Sequence, residues 1–167
     1  RLNKPEGTVI GLPIAASPIF PGYWHEAWLY RPAGYDGHSP LPLMVFQDGW
    51  WFKAEEGPWR VPVILDNLIN EGALPPMAAL FVEAGKGYHE HGLASEEHSY
   101  EYDSLSDRYV RFLVEEVIPE ARKHVVITDD PAQRGIGGFS SGAIAAFTAA
   151  WQRPDFFSKV FSACGSF

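Results

Sequence analysis

Arg134-Gly-Ile-Gly-Gly-Phe139-Ser140-Ser141-Gly142-Ala-Ile-Ala-Ala-Phe147 is the stretch on which the fold turns. Gly135 to Phe139 reads as a short buried strand, and Ala143 to Trp151 as an Ala-rich helix. Between them, Gly138-Phe139-Ser140-Ser141-Gly142 fits the pattern G-x-S-x-G. Alone that pattern is weak in a chain rich in Gly and Ser. Set between a strand and a helix, it makes a sharp turn that lifts a serine hydroxyl above a sheet. Gly138 and Gly142 lack the side chains that would collide across such a turn. Ser140 then sits at a helix N-terminus, where partial positive charge and free N–H groups favour developing negative charge. Ser140 is therefore the predicted nucleophile. Ser141 is the rival, but at the x position its side chain points differently, and its backbone N–H is better cast as an oxyanion donor. The competing reading is a Gly-rich turn with no chemistry.

Working outward, strands alternate with helices. Trp24 to Tyr30 has an alternating tendency and reads as a strand, followed by a turn-rich Arg31 to Gly37. Leu43 to Gln47 and Ala78 to Val82 are nearly all apolar, as in strands buried on both faces. Val61, Ile64, Leu65, Leu68 and Ile69 fall at helical spacing up to Asn70, where Glu71-Gly72 closes the helix. Glu83 to about Tyr102 reads as a polar loop. A helix is predicted to start at Ser104, to carry Val110, Leu113, Val114 and Val117 on one face, and to kink or end at Pro119. Val160 to Cys164 is a last apolar strand. This order predicts an α/β fold in one domain over residues 1–167, a mostly parallel sheet with helices on both faces. The helix that should cover the last strand is not in the sequence, so the fold is expected to be incomplete at its C-terminus.

Bulk composition narrows the partners. Apolar residues make up 46% and charged residues 20% of the 167 residues, an ordinary globular balance. The net charge of −8, with no basic cluster, argues against nucleic acid and anionic membranes. No apolar run is long enough to span a bilayer. A single cysteine, Cys164, cannot form an internal disulfide, which fits the cytoplasm and equally a disulfide-free periplasmic or secreted enzyme. The first residues, Arg1-Leu-Asn-Lys-Pro5, lack an initiator Met and a signal peptide, as in a processed or excised piece.

Several segments together resemble the enterochelin esterase-like branch (esterase D and feruloyl esterase type) of the α/β-hydrolase superfamily. They are Met44-Val-Phe-Gln-Asp-Gly49, Glu101-Tyr-Asp-Ser-Leu-Ser-Asp-Arg-Tyr109, Phe112-Leu-Val-Glu-Glu-Val-Ile-Pro119 and Arg134 to Phe147. Ala150-Trp-Gln-Arg-Pro-Asp-Phe-Phe157 and Val160-Phe-Ser-Ala-Cys-Gly-Ser-Phe167 complete the likeness, in the family's order. The resemblance implies a three-layer α/β-hydrolase sandwich and a serine carboxylic-ester hydrolase acting through an acyl-enzyme. Ser140 matches the nucleophile, and the Ser141 and Trp50 amides match the two oxyanion donors. No metal or organic cofactor is implied. The substrate would be a siderophore, feruloyl- or acetyl-carbohydrate, or other small ester.

The triad of this fold runs Ser, acid, His. All six histidines precede Ser140, and the only later carboxylate is Asp155, which reads as a surface turn group. A serine without a base is a poor nucleophile at neutral pH. The acid and the histidine are therefore expected beyond Phe167, and the chain alone is expected to be nearly inactive. An upstream histidine is the other possible base, since catalytic geometry is not bound to chain order. Trp50, Trp51, Phe52 and Trp59 cluster around the second donor loop; Trp51 and Trp59 are candidates to line an aryl or sugar site, against a plain core or rim cluster. Asp48-Gly49 reads either as that donor loop or as a simple turn. His89-Glu-His91, with Glu96, Glu97 and His98, has metal-ligand residue types, but its spacing is not diagnostic in a polar segment; a solvated loop is the favoured reading, and no metal is predicted. An acyltransferase on the same fold and a non-catalytic carbohydrate-binding or interaction module are the alternatives. The expected partners are an ester substrate and either a C-terminal segment or a second copy that completes the fold.

Overall fold

The computed structural model describes residues 4–87 and 94–167. The strands are β1 Thr8–Ile14, β2 Tyr23–Arg31, β3 Leu43–Gln47, β4 Ala78–Val82, β5 Lys86–Gly87, β6 Arg134–Phe139 and β7 Lys159–Ala163. They form a mixed sheet in the order β1-β2-β4-β3-β6-β7, with β5 pairing β2. β2 runs antiparallel to both β1 and β4; β4, β3, β6 and β7 are mutually parallel. The helices are α1 Gly49–Lys53, α2 Val61–Asn70, α3 Ala94–Tyr102, α4 Arg108–Phe112, α5 Ile118–Ala121 and α6 Ser141–Gln152.

Alternation along the central strands creates two apolar layers. Ala78, Leu80 and Val82 of β4 join a core with Val110, Phe112, Leu113 and Ala146 on one face. Ala79 and Phe81 join Phe52 of α1 and Leu65 of α2 on the other. Successive strand residues point to opposite faces, so a continuous apolar run feeds both. The result is a three-layer α/β sandwich. Tertiary burial also explains α1, which is too short to be stable alone. Its Phe52 is 1% exposed and stacks between Phe46 and Trp59, with ring centroids at 4.8 and 4.9 Å. Burying such a ring stabilises by about 1.5–3 kcal/mol.

Three expectations need correction. The stretch from Glu83 to Tyr102 is not a continuous loop, since it contains β5 and α3. The α3 residues that pack inward include Glu101 and Tyr102, 1% and 0% exposed, so polar residue types hid the helical period. The helix expected from Ser104 begins instead at Arg108, with Asp107 at its N-cap. Pro119 does not end that segment at once. A π-helical turn at Leu113–Val117 precedes it, and α5 continues to Ala121. The wider turn suits a proline that offers no N–H to the preceding carbonyls. β1 was not anticipated, because Gly11 and Pro13 interrupt its pattern; an edge position tolerates both.

Candidate active site

Ser140 stands between the end of β6 and the start of α6 with φ 57° and ψ −123°. A non-glycine residue in such a conformation costs on the order of 1–3 kcal/mol, and the surroundings must impose it. They do so through the backbone. The Ser140 N–H donates to the Ala163 carbonyl of β7 at 2.9 Å, and the Ser140 carbonyl accepts from the Ala143 N–H at 2.9 Å. The side chain makes no capping bond to α6, so its hydroxyl is not spent as a helix cap. A Cβ on Gly138 would lie 2.2 Å from the Gly142 carbonyl oxygen, and one on Gly142 would lie 2.9 Å from Asp48 Oδ2. Gly138 is thus held to glycine by close approach of backbone, whereas the nearest atom at Gly142 is the end of the Asp48 side chain.

Ser140 opens onto a cavity of about 470 Å³. Its apolar walls are Trp51, Phe52, Pro58, Trp59 and Phe139. Trp59 sits 6.0 Å from Phe139 and 6.2 Å from Phe161 between ring centroids, so it belongs to the wall and to the packing beneath it. Trp51 is 62% exposed and lines the rim. The polar lining is Ser140, Asp48 and His98. A second cavity of about 480 Å³ also touches Ser140, with Asp103, Ser141 and Ile144 in its lining.

Asp48 leaves β3 in a left-handed conformation, φ 55° and ψ 51°, and makes no side-chain cap to α1. Asp tolerates that region better than most residues. Its carboxylate instead meets His98 of α3, with Nε2 2.8 Å from Oδ1. This hydrogen bond holds the His98 pKa above the usual imidazole range, against the opposing effect of partial burial. One helical turn on, the Tyr102 hydroxyl accepts from the Asp48 N–H at 3.3 Å and donates to the Val82 carbonyl at 3.2 Å. Gly49 follows with no room for a side chain, since a Cβ would lie 2.4 Å from the Val82 nitrogen. Asp48-Gly49 is thus more than a free turn.

The two backbone donors read from the sequence are placed differently. Ser141 opens α6, directly after Ser140. Trp50 lies in the first turn of α1, but its N–H donates to Glu83 Oε1 at 2.5 Å, and Trp51 rather than Trp50 lines the cavity. Burial pushes the Glu83 pKa up, with Asp48 and Glu26 adding to it against the Trp50 hydrogen bond and Lys86. Of the other described histidines, His25 is buried against Glu101 at 3.0 Å, while His38 and His124 are exposed. His89 and His91 lie outside the described residues, as do the side chains of Glu96 and Glu97. Glu101 also accepts from the Gly85 N–H at 3.1 Å, which makes it a structural brace. Asp155 pairs with Arg153 through two contacts of 2.8 Å on the surface. The Asp48–His98 pair was missed in the sequence; the only available signal was a histidine one turn before an aromatic in a segment that reads as a loop.

A family profile described as "Putative esterase" matches residues 25–166. The chain belongs to this esterase family. Over 140 residues it is 29% identical to an iron(III) enterobactin esterase of Dickeya dadantii, covering 84% of this chain and 29% of that protein. It is 24% identical over 149 residues to an endo-1,4-beta-xylanase/feruloyl esterase of Xylanibacter ruminicola, covering 81% and 19%. The chain therefore spans less than a third of either curated relative. The ferric enterobactin esterase of Salmonella typhimurium superposes with a TM-score of 0.76 at 22% identity, covering 99% of this chain and 39% of that one. A ferulic acid esterase superposes with a TM-score of 0.71 at 16% identity, covering 97% and 60%. At these identities the solved structures speak for the fold of the esterase-family chain.

Proposed function

We propose that this chain is the nucleophile-bearing part of a serine carboxylic-ester hydrolase. The observation that carries the proposal is Ser140 itself, held at positive φ at the exposed end of β6, uncapped, and opening onto an aromatic-walled cavity. In this reading the Ser140 hydroxyl attacks the ester carbonyl as a histidine takes its proton. The tetrahedral oxyanion is held by the Ser141 and Trp50 amides. Collapse expels the alcohol with the proton from the histidine, leaving an acyl-enzyme that water hydrolyses to the free acid. The histidine and its carboxylate are supplied by chain following Phe167, where this fold carries them. No cofactor takes part. For the Trp50 amide to act, the oxyanion must displace the Glu83 carboxylate now bonded to it.

The substrate is an aryl or carbohydrate ester. Trp51, Trp59 and Phe139 present flat apolar surfaces suited to a ring. The relatives' names, enterobactin esterase and feruloyl esterase, agree with that chemistry. The test is labelling of the full-length protein with a fluorophosphonate, together with turnover of p-nitrophenyl esters. Ser140→Ala is expected to leave the protein folded and to lower turnover by a factor on the order of 10³ or more. Labelling of another residue, or retained turnover, would refute the assignment.

A further inference from the structure

We infer that His98 is a positioning residue of the proposed reaction: from one turn of α3 it holds Asp48, and with it the turn that leads into α1 and its Trp50 amide. The inference rests on the esterase reading. Three observations carry it. Asp48 is a non-glycine residue at positive φ, so it needs external restraint. That restraint comes from residues one helical turn apart, His98 on the carboxylate at 2.8 Å and Tyr102 on the backbone N–H at 3.3 Å, their rings 4.5 Å apart. Asp48 and His98 also line the same cavity as Ser140, and the Asp48 carboxylate abuts Gly142 at the start of α6. A shift of Asp48 would therefore be felt on both sides of the oxyanion, through α1 and through α6.

The bond is strongest when the imidazole is protonated and the pair is ionic. The charged groups acting on His98 are Asp48 from the β3–α1 turn, Glu83 from the segment after β4 and Asp103 beyond its own helix; all three favour the cation. Tyr102 packs against it from its own helix, and burial holds that phenol neutral across the working range. His98 is 35% and Asp48 22% exposed in their side chains, so the pair is open to solvent protons. The added hold that protonation gives is full below the ordinary imidazole range and is lost as pH rises through the raised His98 pKa.

The experiment is a pH–kcat profile of the full-length protein with a p-nitrophenyl ester, for wild type, His98→Gln, His98→Arg and Ser140→Ala. His98→Gln is expected to lower kcat by about 10- to 100-fold with KM little changed, the signature of a displaced transition-state donor. His98→Arg keeps a cation facing Asp48 at every pH. It is expected to retain most of kcat and to lose the alkaline fall that wild type shows. Wild-type kcat and an unaltered alkaline limb in both variants would overturn the inference while leaving the esterase reading intact. A His98→Gln enzyme as dead as Ser140→Ala would also overturn it, by making His98 the base. Should His98→Gln not fold, His98→Arg decides alone: a retained alkaline limb refutes positioning, and its loss supports it. A wild-type protein that neither labels nor turns over would refute the esterase reading, and this inference with it.

Discussion

Replacing Gly138 with alanine tests whether the strained turn at Ser140 is imposed by close packing. The new Cβ would lie 2.2 Å from the Gly142 oxygen, 2.4 Å from the Gly142 carbonyl carbon and 3.0 Å from the Ala143 nitrogen. All three are backbone atoms of α6, so no side chain can swing aside. Bringing these contacts to van der Waals distance requires the start of α6 to move away from β6 by more than about 1 Å. That movement breaks the Ala143 N–H bond to the Ser140 carbonyl and lets Ser140 leave its positive φ. Overpacking of this kind costs about 1–3 kcal/mol. Release of the strain at Ser140 returns a comparable amount. The expected net loss of stability in chemical denaturation is therefore small, while fluorophosphonate labelling of Ser140 falls by about 100-fold or more. Gly142→Ala is the contrast. Its Cβ meets the Asp48 carboxylate at 2.9 Å and Gln47 Cβ at 3.3 Å, side-chain atoms of which the first can yield. Labelling is expected to fall less in that variant, and through Asp48. A Gly138→Ala protein that labels at the wild-type rate would refute the reasoning.

Glu83→Gln separates two roles of the group that now holds the Trp50 N–H. Burial raises the Glu83 pKa, so the folded state binds a proton that the unfolded chain has released, and stability falls as pH rises from the ordinary Glu range through the raised value. The Gln variant is expected to melt higher than wild type at neutral pH, the difference vanishing below the ordinary Glu range; equal melting curves at both pH values would refute this. Since an amide oxygen is a weaker acceptor than a carboxylate, the same variant should turn over faster, and a slower enzyme would mean that Glu83 supports the loop instead of competing with the oxyanion. Residues 1–167 expressed as a separate polypeptide should self-associate, because Phe147, Trp151, Val160, Phe161 and Phe167 are each at least 40% exposed at or near the β7 edge. A monodisperse monomer by light scattering across concentrations would contradict this.

The central layers were legible because their determinants are local. β3, α2 and β4 lie where their apolar runs and helical spacing put them, Leu43–Gln47, Val61–Asn70 and Ala78–Val82. The turn at Ser140 was legible for the same reason: two glycines four residues apart, between a strand and a helix, describe a steric requirement that the chain satisfies within itself. β1 and α1 were not legible. One is an edge strand with a proline, and the other is five residues held by a single buried phenylalanine. α3 was hidden because its inward face carries a histidine, a glutamate and a tyrosine, whose burial depends on partners supplied by β2, β4 and the turn after β3.

That dependence separates the two halves of the candidate site. The turn at Ser140 is written within five residues, with the Ala163 carbonyl of β7 receiving its N–H. Whether the Trp50 amide can receive an oxyanion is decided by Glu83, 33 positions on, and by His98, 50 positions from the Asp48 it holds. No local pattern reports such pairings, because each partner alone is an unremarkable polar residue in a polar segment. The same geometry gives the two carboxylates opposite consequences. Asp48 faces a cation and is held in place by it, whereas Glu83 is partly buried with Asp48 and Glu26 bearing on it and is driven towards its neutral form. In the proposed site, the Ser140 turn rests mainly on close backbone packing and the Trp50 amide on long-range charge, which makes the Trp50 amide the part most open to change by single substitutions.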